Sequence, residues 1–185
     1  TDEPTIFNKS IILLQLQRFK ETLETIEKID LRKNRELDLL FIKANCLAHL
    51  GDMEESEKIY QKISNIVPND SGLLLTIGTT CLQQGIYKIS IDILQKIDDS
   101  VPYVFEKNYY IGLAYKGQNH LTNAIKFFGN ALRAKPDYFQ LYPLAAAACF
   151  QNDMTKEGDK LMKILKDKNH SFFQHVAGIV ASYRV

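Results

Sequence analysis

Apolar residues recur along the chain at intervals of three and four, the spacing of one helix face. Leu40, Ala44, Leu47 and Ala48 form one such stripe. No alternation of period two competes with it. The pattern predicts ten helices in five hairpins plus an eleventh at the C-terminal end. They fall near 4–16, 19–30, 36–50, 53–66, 71–84, 87–99, 104–117, 120–134, 139–151, 154–168 and 171–183. In "LGDMEES", Leu50–Ser56, Asp52 stands where an N-cap belongs and Glu55 follows three residues later, as in a capping box. No Pro-, Gly- or Ser-rich linker divides the chain, so 1–185 reads as a single domain.

The apolar pattern repeats itself. Pro68, Pro102 and Pro136 are spaced by 34 residues. The same step joins Ala44, Gly78, Gly112 and Ala146, then Ser56, Ser90, Ala124 and Gly158, then Tyr60, Leu94, Phe128 and Met162. Small residues in the first two columns let paired helices approach closely. Large residues in the third fill the space between pairs. A proline after each second helix cannot continue it and forces a turn. The stretch "AIKFFGNALRAKP", Ala124–Pro136, shows the whole device: Ala124 and Ala131 as contact points, Phe128 as the plug, Pro136 as the stop.

In these columns the sequence resembles the tetratricopeptide repeat (TPR) family. Phe105–Tyr138 carries the fullest match, Gly112-x2-Tyr115 followed by Ala124-x3-Phe128-x2-Ala131-x4-Pro136. Leu37–Asp70 matches through Ala44, Gly51-Asp52, Tyr60 and Pro68, and Ser71–Val104 through Gly78, Gly85 and Pro102. Phe139–Phe172 is a weaker copy, and residues 3–36 read as a degenerate first repeat. The family's aromatic near the start of the first helix is replaced by Leu40, Leu74 and Asn108, and only Tyr142 fits. The resemblance implies an all-α fold, a right-handed α-solenoid of about five helical hairpins, with a C-terminal helix over 173–185. Pro143 departs from the pattern, so its helix either starts near Tyr142 or bends there.

The resemblance also implies where a ligand lies, along the concave face lined by the first helices of the hairpins. Carried onto this sequence, that face holds Phe41, Asn45, His49, Leu75, Thr79, Gln83, Tyr109, Tyr110, Leu113, Lys116 and Phe150. Aromatic anchors beside a few polar groups suit a peptide or an amphipathic helix. One subclass of the family grips a C-terminal carboxylate with Lys, Asn and Arg. Here only Asn45 fits, so no carboxylate clamp is expected.

Charge changes this picture little. The formal net charge is +1, which gives no global attraction to nucleic acid or anionic membranes. Residues 1–70 carry 10 basic and 13 acidic side chains, and residues 101–185 carry 11 and 6. The one basic run, "RKNR" at 32–35, reads as a solvated turn because Glu36 and Asp38 follow it. Cys46, Cys81 and Cys149 are odd in number and far apart, which argues against a disulfide framework and for a reducing, cytoplasmic setting. No apolar run reaches the length of a membrane span. The chain opens at Thr1 rather than Met and reads as a piece of a longer one.

Catalytic and metal chemistry find no footing in the sequence. There is no GxxxxGK[ST], GxGxxG or HExxH. His170 and His175 have no third ligand in reach of the pattern, and Cys81 and Cys149 share one repeat position, as packing residues do. No cofactor is expected. The expected function is a non-enzymatic scaffold or adaptor that binds protein and not nucleic acid. The alternative is a secretion-type chaperone that shields an apolar export substrate. Both end helices are apolar on more than one side, through Ile6, Phe7, Ile11, Ile12, Leu13, Leu14 and Leu16, and through Phe172, Phe173, Val176, Ile179, Val180 and Tyr183. A solenoid closes with polar caps. These ends therefore point to a cut from a longer array, to self-association, or to terminal helices folded onto the groove.

Overall fold

The structure, a computed structural model, describes residues 3–29, 36–67, 69–99 and 102–184. Eleven helices lie among them: α1 (Glu3–Gln15), α2 (Phe19–Ile26), α3 (Glu36–Leu50), α4 (Met53–Ile66), α5 (Ser71–Gln83), α6 (Tyr87–Leu94), α7 (Val104–Gly117), α8 (Leu121–Ala134), α9 (Leu141–Gln151), α10 (Thr155–Lys168) and α11 (His170–Ala181). Pro68 and the basic run at 32–35 lie outside the described residues.

Each helix packs on the next, and alternate helices meet as well: α5 on α7, α4 on α6, α9 on α11. That is a stack of hairpins, an all-α solenoid. The turn within each hairpin is built the same way five times. Gln17, Gly51, Gly85, Asn119 and Asp153 all have positive φ, between 57° and 90°, and each is 34 residues from the next. In each turn the following residue's N–H reaches back five residues, as Arg18 to the Leu13 carbonyl and His120 to that of Tyr115, at 2.8–2.9 Å. This is the left-handed residue that ends a helix and satisfies its last carbonyls. Glycine takes that conformation without strain, and asparagine and aspartate tolerate it. Gln17 is the exception in chemistry and not in geometry, so the degenerate first repeat folds like the rest.

The repeat columns meet as their sizes require. Ser56 Oγ donates to the Ala44 carbonyl at 2.8 Å, and Ser90 Oγ to that of Gly78 at 2.7 Å, locking first helix to second. A Cβ on Gly78 would lie 2.5 Å from Leu94, and one on Gly112 the same distance from the Phe128 ring. Tyr60, Leu94 and Phe128 are fully buried, Tyr60 and Leu94 in one core cluster with Ile63, Leu74, Ile77 and Ile111, and Phe128 in a second, C-terminal cluster.

Two second helices stop early. α2 ends at Ile26 rather than 30, and α6 at Leu94 rather than 99. Past these points the backbone tightens to three-residue bonds, as in Ile29 N–H to Ile26 and Ile97 N–H to Leu94. The apolar spacing runs on because Ile29 and Ile97 stay buried after the helix is gone. For α6 a tertiary partner takes over: Lys107 Nζ donates to the Ile97 carbonyl at 2.6 Å and to Asp99 at 2.7 Å. The capping box at α4 is only half made. Asp52 Oδ1 accepts from the Glu55 N–H, but the Asp52 N–H goes to Leu47, and Glu55 turns to Lys58.

Candidate functional site

The first helices α7 and α9, with α11, frame a groove of about 220 Å³ at the C-terminal end of the stack. Local sequence explains each wall. Pro143 sits in the first turn of α9, where its missing N–H has no helical partner to lose, and the helix starts at Leu141. That first turn presents Gln140, Pro143 and Leu144, with Ala147 one turn on. Asn169 caps α11 by accepting from the Phe172 N–H at 3.1 Å. Val180 enters the core at 4% exposure and still reaches the groove lining, where Val176, Ile179 and Tyr183 stand beside it. Ile179 is 65% exposed, a large apolar side chain held in water. Lys116, from the end of α7, is the one cation on the lining and makes no ion pair among the described residues.

Of the eleven residues expected on the ligand face, only Lys116 lines this groove. The others lie along α3, α5, α7 and α9. Phe41 is half-buried with its ring edge-on to Tyr60, centroids 6.0 Å apart. Asn45 gives its carbonyl to His49 Nδ1 at 2.9 Å, and the exposed His49 ring stacks on Phe19 at 4.3 Å. Leu75 is half-buried, Gln83 is exposed, and Thr79 Oγ1 is turned back onto the Leu75 carbonyl at 2.9 Å. Leu113 packs against the C-terminal core. Tyr109 and Tyr110 are half-buried in one aromatic set with Phe105 and Tyr138. Burial, and then Tyr138 and Tyr110 beside it, raises the Tyr109 phenol above its ordinary value. Phe150 is 4% exposed, so it serves the core and offers no surface to a ligand. Its ring occupies the space that a Cβ on Gly158 would need, and the Arg184 guanidinium covers it at 4.7 Å.

The α11 wall was visible in the sequence as a stripe, but its direction was not. Nothing in the spacing says which of two apolar stripes faces the core. The exposure of Ile179 decides it.

Reactive groups are held inert. Burial raises the thiols of Cys46 and Cys149 to about 11 and pushes that of Cys81 further up. Among the described residues, no three or more His, Cys, Asp or Glu side chains are placed to hold a metal ion. Likewise, no helix there is long and apolar enough to cross a membrane.

The tetratricopeptide repeat model matches residues 37–70 and 108–138. No curated protein matches the chain. Among solved structures, a MamA double mutant (RS-1 ArsTM) is similar over 91% of this chain and 95% of its own, at 20% identity and a TM-score of 0.65. MamA from residue 41 to its end, from Desulfovibrio magneticus RS-1, is similar over 90% and 97%, at 20% identity and a TM-score of 0.63. A crystal structure of MamA protein is similar over 91% and 92%, at 15% identity and a TM-score of 0.66. At such identities the likeness is one of fold. The chain is an all-α solenoid of helical hairpins, two of whose segments, 37–70 and 108–138, match the tetratricopeptide repeat.

Proposed function

We propose that this chain is a non-enzymatic scaffold that holds another polypeptide against the layer of first helices, with the α7–α9–α11 groove as the principal seat. The observation that carries this reading is Ile179, 65% exposed above an apolar floor of Leu144, Ala147 and Val176. Burying such a side chain on binding is favourable by about 1.5–3 kcal/mol. Lys116 and Gln140 add a cation and an amide at the lining, enough to orient a ligand. A peptide or amphipathic helix with apolar residues at i, i+3 and i+4 fits this chemistry. Phe41, Asn45, Leu75, Tyr109 and Tyr110 would extend the contact toward the N-terminal hairpins.

A test is affinity capture from a lysate of the source organism, comparing the intact chain with Ile179→Asp/Leu144→Glu. Circular dichroism checks that both remain helical. The proposal expects a protein captured by the intact chain and lost with the double variant. Capture of the same proteins by both would remove the groove from consideration.

Association of chains through their ends is a second reading, supported by exposed apolar side chains at both: Ile12 (56%) and Leu16 (61%) on and just after α1, and Ile179 on α11. Light scattering over a concentration series tests it, with Ile12→Lys/Leu16→Lys as the variant expected to abolish any growth in mass. The free thiols suit a reducing compartment such as the cytoplasm.

A further inference from the structure

A cavity of about 510 Å³ lies on the other layer, between the second helices α8 and α10 with α9 as its floor. α8 contributes Ile125, Gly129 and Leu132, at i, i+4 and i+7, and α10 contributes Leu161 and Ile164. From Ile125 to Arg133 the trough runs along nine residues of α8, roughly 12 Å or two helical turns. We propose that this trough is a second docking site, for a short amphipathic helix whose apolar stripe is flanked by acidic residues.

Three observations carry the proposal. The first is Gly129. The other glycines at helix-packing positions answer to a neighbour: Leu94 over Gly78, Phe128 over Gly112, Tyr87 against Gly117, Phe150 against Gly158. Gly129 in α8, like Gly178 in α11, has nothing within 4 Å of where a Cβ would be, and of the two it is Gly129 that lines this trough. It leaves the trough open for a backbone to come close. The second is apolar material left half-covered: Ile125, Leu161 and Ile164 are neither core nor fully exposed. The third is charge. Arg133 and Lys160 stand on the two rims, and among the described residues neither makes an ion pair. α8 adds Lys126 and no acidic residue, and α10 adds Lys156, Lys163, Lys166 and Lys168 against Glu157, Asp159 and Asp167. Glu157 is the one acidic side chain on the lining, near the end where both helices begin. The occupant's carboxylates therefore belong opposite Arg133 and Lys160.

The test uses a synthetic fluorescent helical peptide, with leucines at i, i+3, i+4 and i+7 and glutamates along the flanks. A lysine-flanked peptide of the same apolar stripe is the control. Fluorescence anisotropy reads binding to the full chain and to three variants. Gly129→Leu fills the trough with a good helix former, Arg133→Glu/Lys160→Glu reverses the rim at exposed positions, and Ile66→Asp changes an exposed apolar side chain at the end of α4, outside both grooves. The expected result is saturable binding of the acidic peptide, weakened about tenfold or more by each of the first two variants and unchanged by the third. The lysine-flanked peptide binds at least about tenfold more weakly. Circular dichroism and melting temperature confirm that the variants fold, and the rim reversal stands as evidence should Gly129→Leu not. No binding to the unaltered chain, equal binding of the two peptides, indifference to the rim reversal, or loss of binding with Ile66→Asp would each overturn the proposal.

Discussion

Two glycines in one hairpin make opposite predictions for the same substitution. A Cβ on Gly112, in α7, would lie 2.5 Å from Cδ1 and Cε1 of Phe128, whose side chain is fully buried. The ring is enclosed and cannot retreat, so Gly112→Ala overpacks the core at a cost of about 1–3 kcal/mol. Alanine is the better helix former by about 1 kcal/mol, which offsets part of that. The net expectation is a loss of up to about 2 kcal/mol. Gly129→Ala, in α8, meets nothing within 4 Å and keeps only the propensity gain, about 0.5–1 kcal/mol. Urea unfolding followed by far-ultraviolet circular dichroism measures both, with thermal midpoints moving about 2–4 °C per kcal/mol for a chain of this size. Adding Phe128→Leu closes a double-mutant cycle, since a shorter side chain frees the space and the cost of Gly112→Ala falls. If both alanines stabilise equally, or if the cycle shows no coupling, the plug-and-glycine account of the repeat is wrong.

Other consequences are as direct. Gln17 holds a left-handed turn at φ 57°, so Gln17→Gly should stabilise the first hairpin by about 0.5–1 kcal/mol, read as a higher melting temperature, while Gly85→Ala lowers it. Lys107→Met removes the donor to the Ile97 carbonyl and should cost about 1–3 kcal/mol in urea unfolding, most of it from that buried bond because Asp99 is well exposed. Cys46, Cys81 and Cys149 should resist a thiol reagent in the folded chain and react together once it is unfolded in urea. Their folded-state values are raised, so the unfolded chain releases thiol protons first and stability falls as pH climbs from 9.0 toward about 11. A denaturation midpoint that holds constant across that range would contradict the burial assigned to them.

Most of the fold was legible because the repeat writes the same contact several times. Columns at a step of 34 identified the hairpins, and Gly78 and Gly112 meet the plug residues Leu94 and Phe128 as their sizes require. One further column passed unread: Gln17, Gly51, Gly85, Asn119 and Asp153 share the left-handed turn, and four of the five are residue types that tolerate it. The ends of α2 and α6 were not legible, since Ile29 and Ile97 keep the apolar period while local three-residue bonds, and after α6 a tertiary bond from Lys107, replace the helical ones. The binding face was legible as a layer and not as a site. Periodicity placed Tyr109 and Phe150 on one side of their helices. It could not show that aromatic neighbours enclose Tyr109, or that the absent side chain of Gly158 lets the core take Phe150.

The most direct test of the scaffold account places a photo-crosslinking residue, benzoylphenylalanine, at Ile179 in the first-helix groove and, separately, at Ile66. Ile66 is also exposed, at 47%, but lies at the end of the second helix α4. Irradiation in the source lysate should join position 179 to a discrete partner polypeptide, with no such adduct from position 66. Equal adducts from both positions, or adducts from position 66 alone, would contradict a polypeptide seated on the first-helix layer.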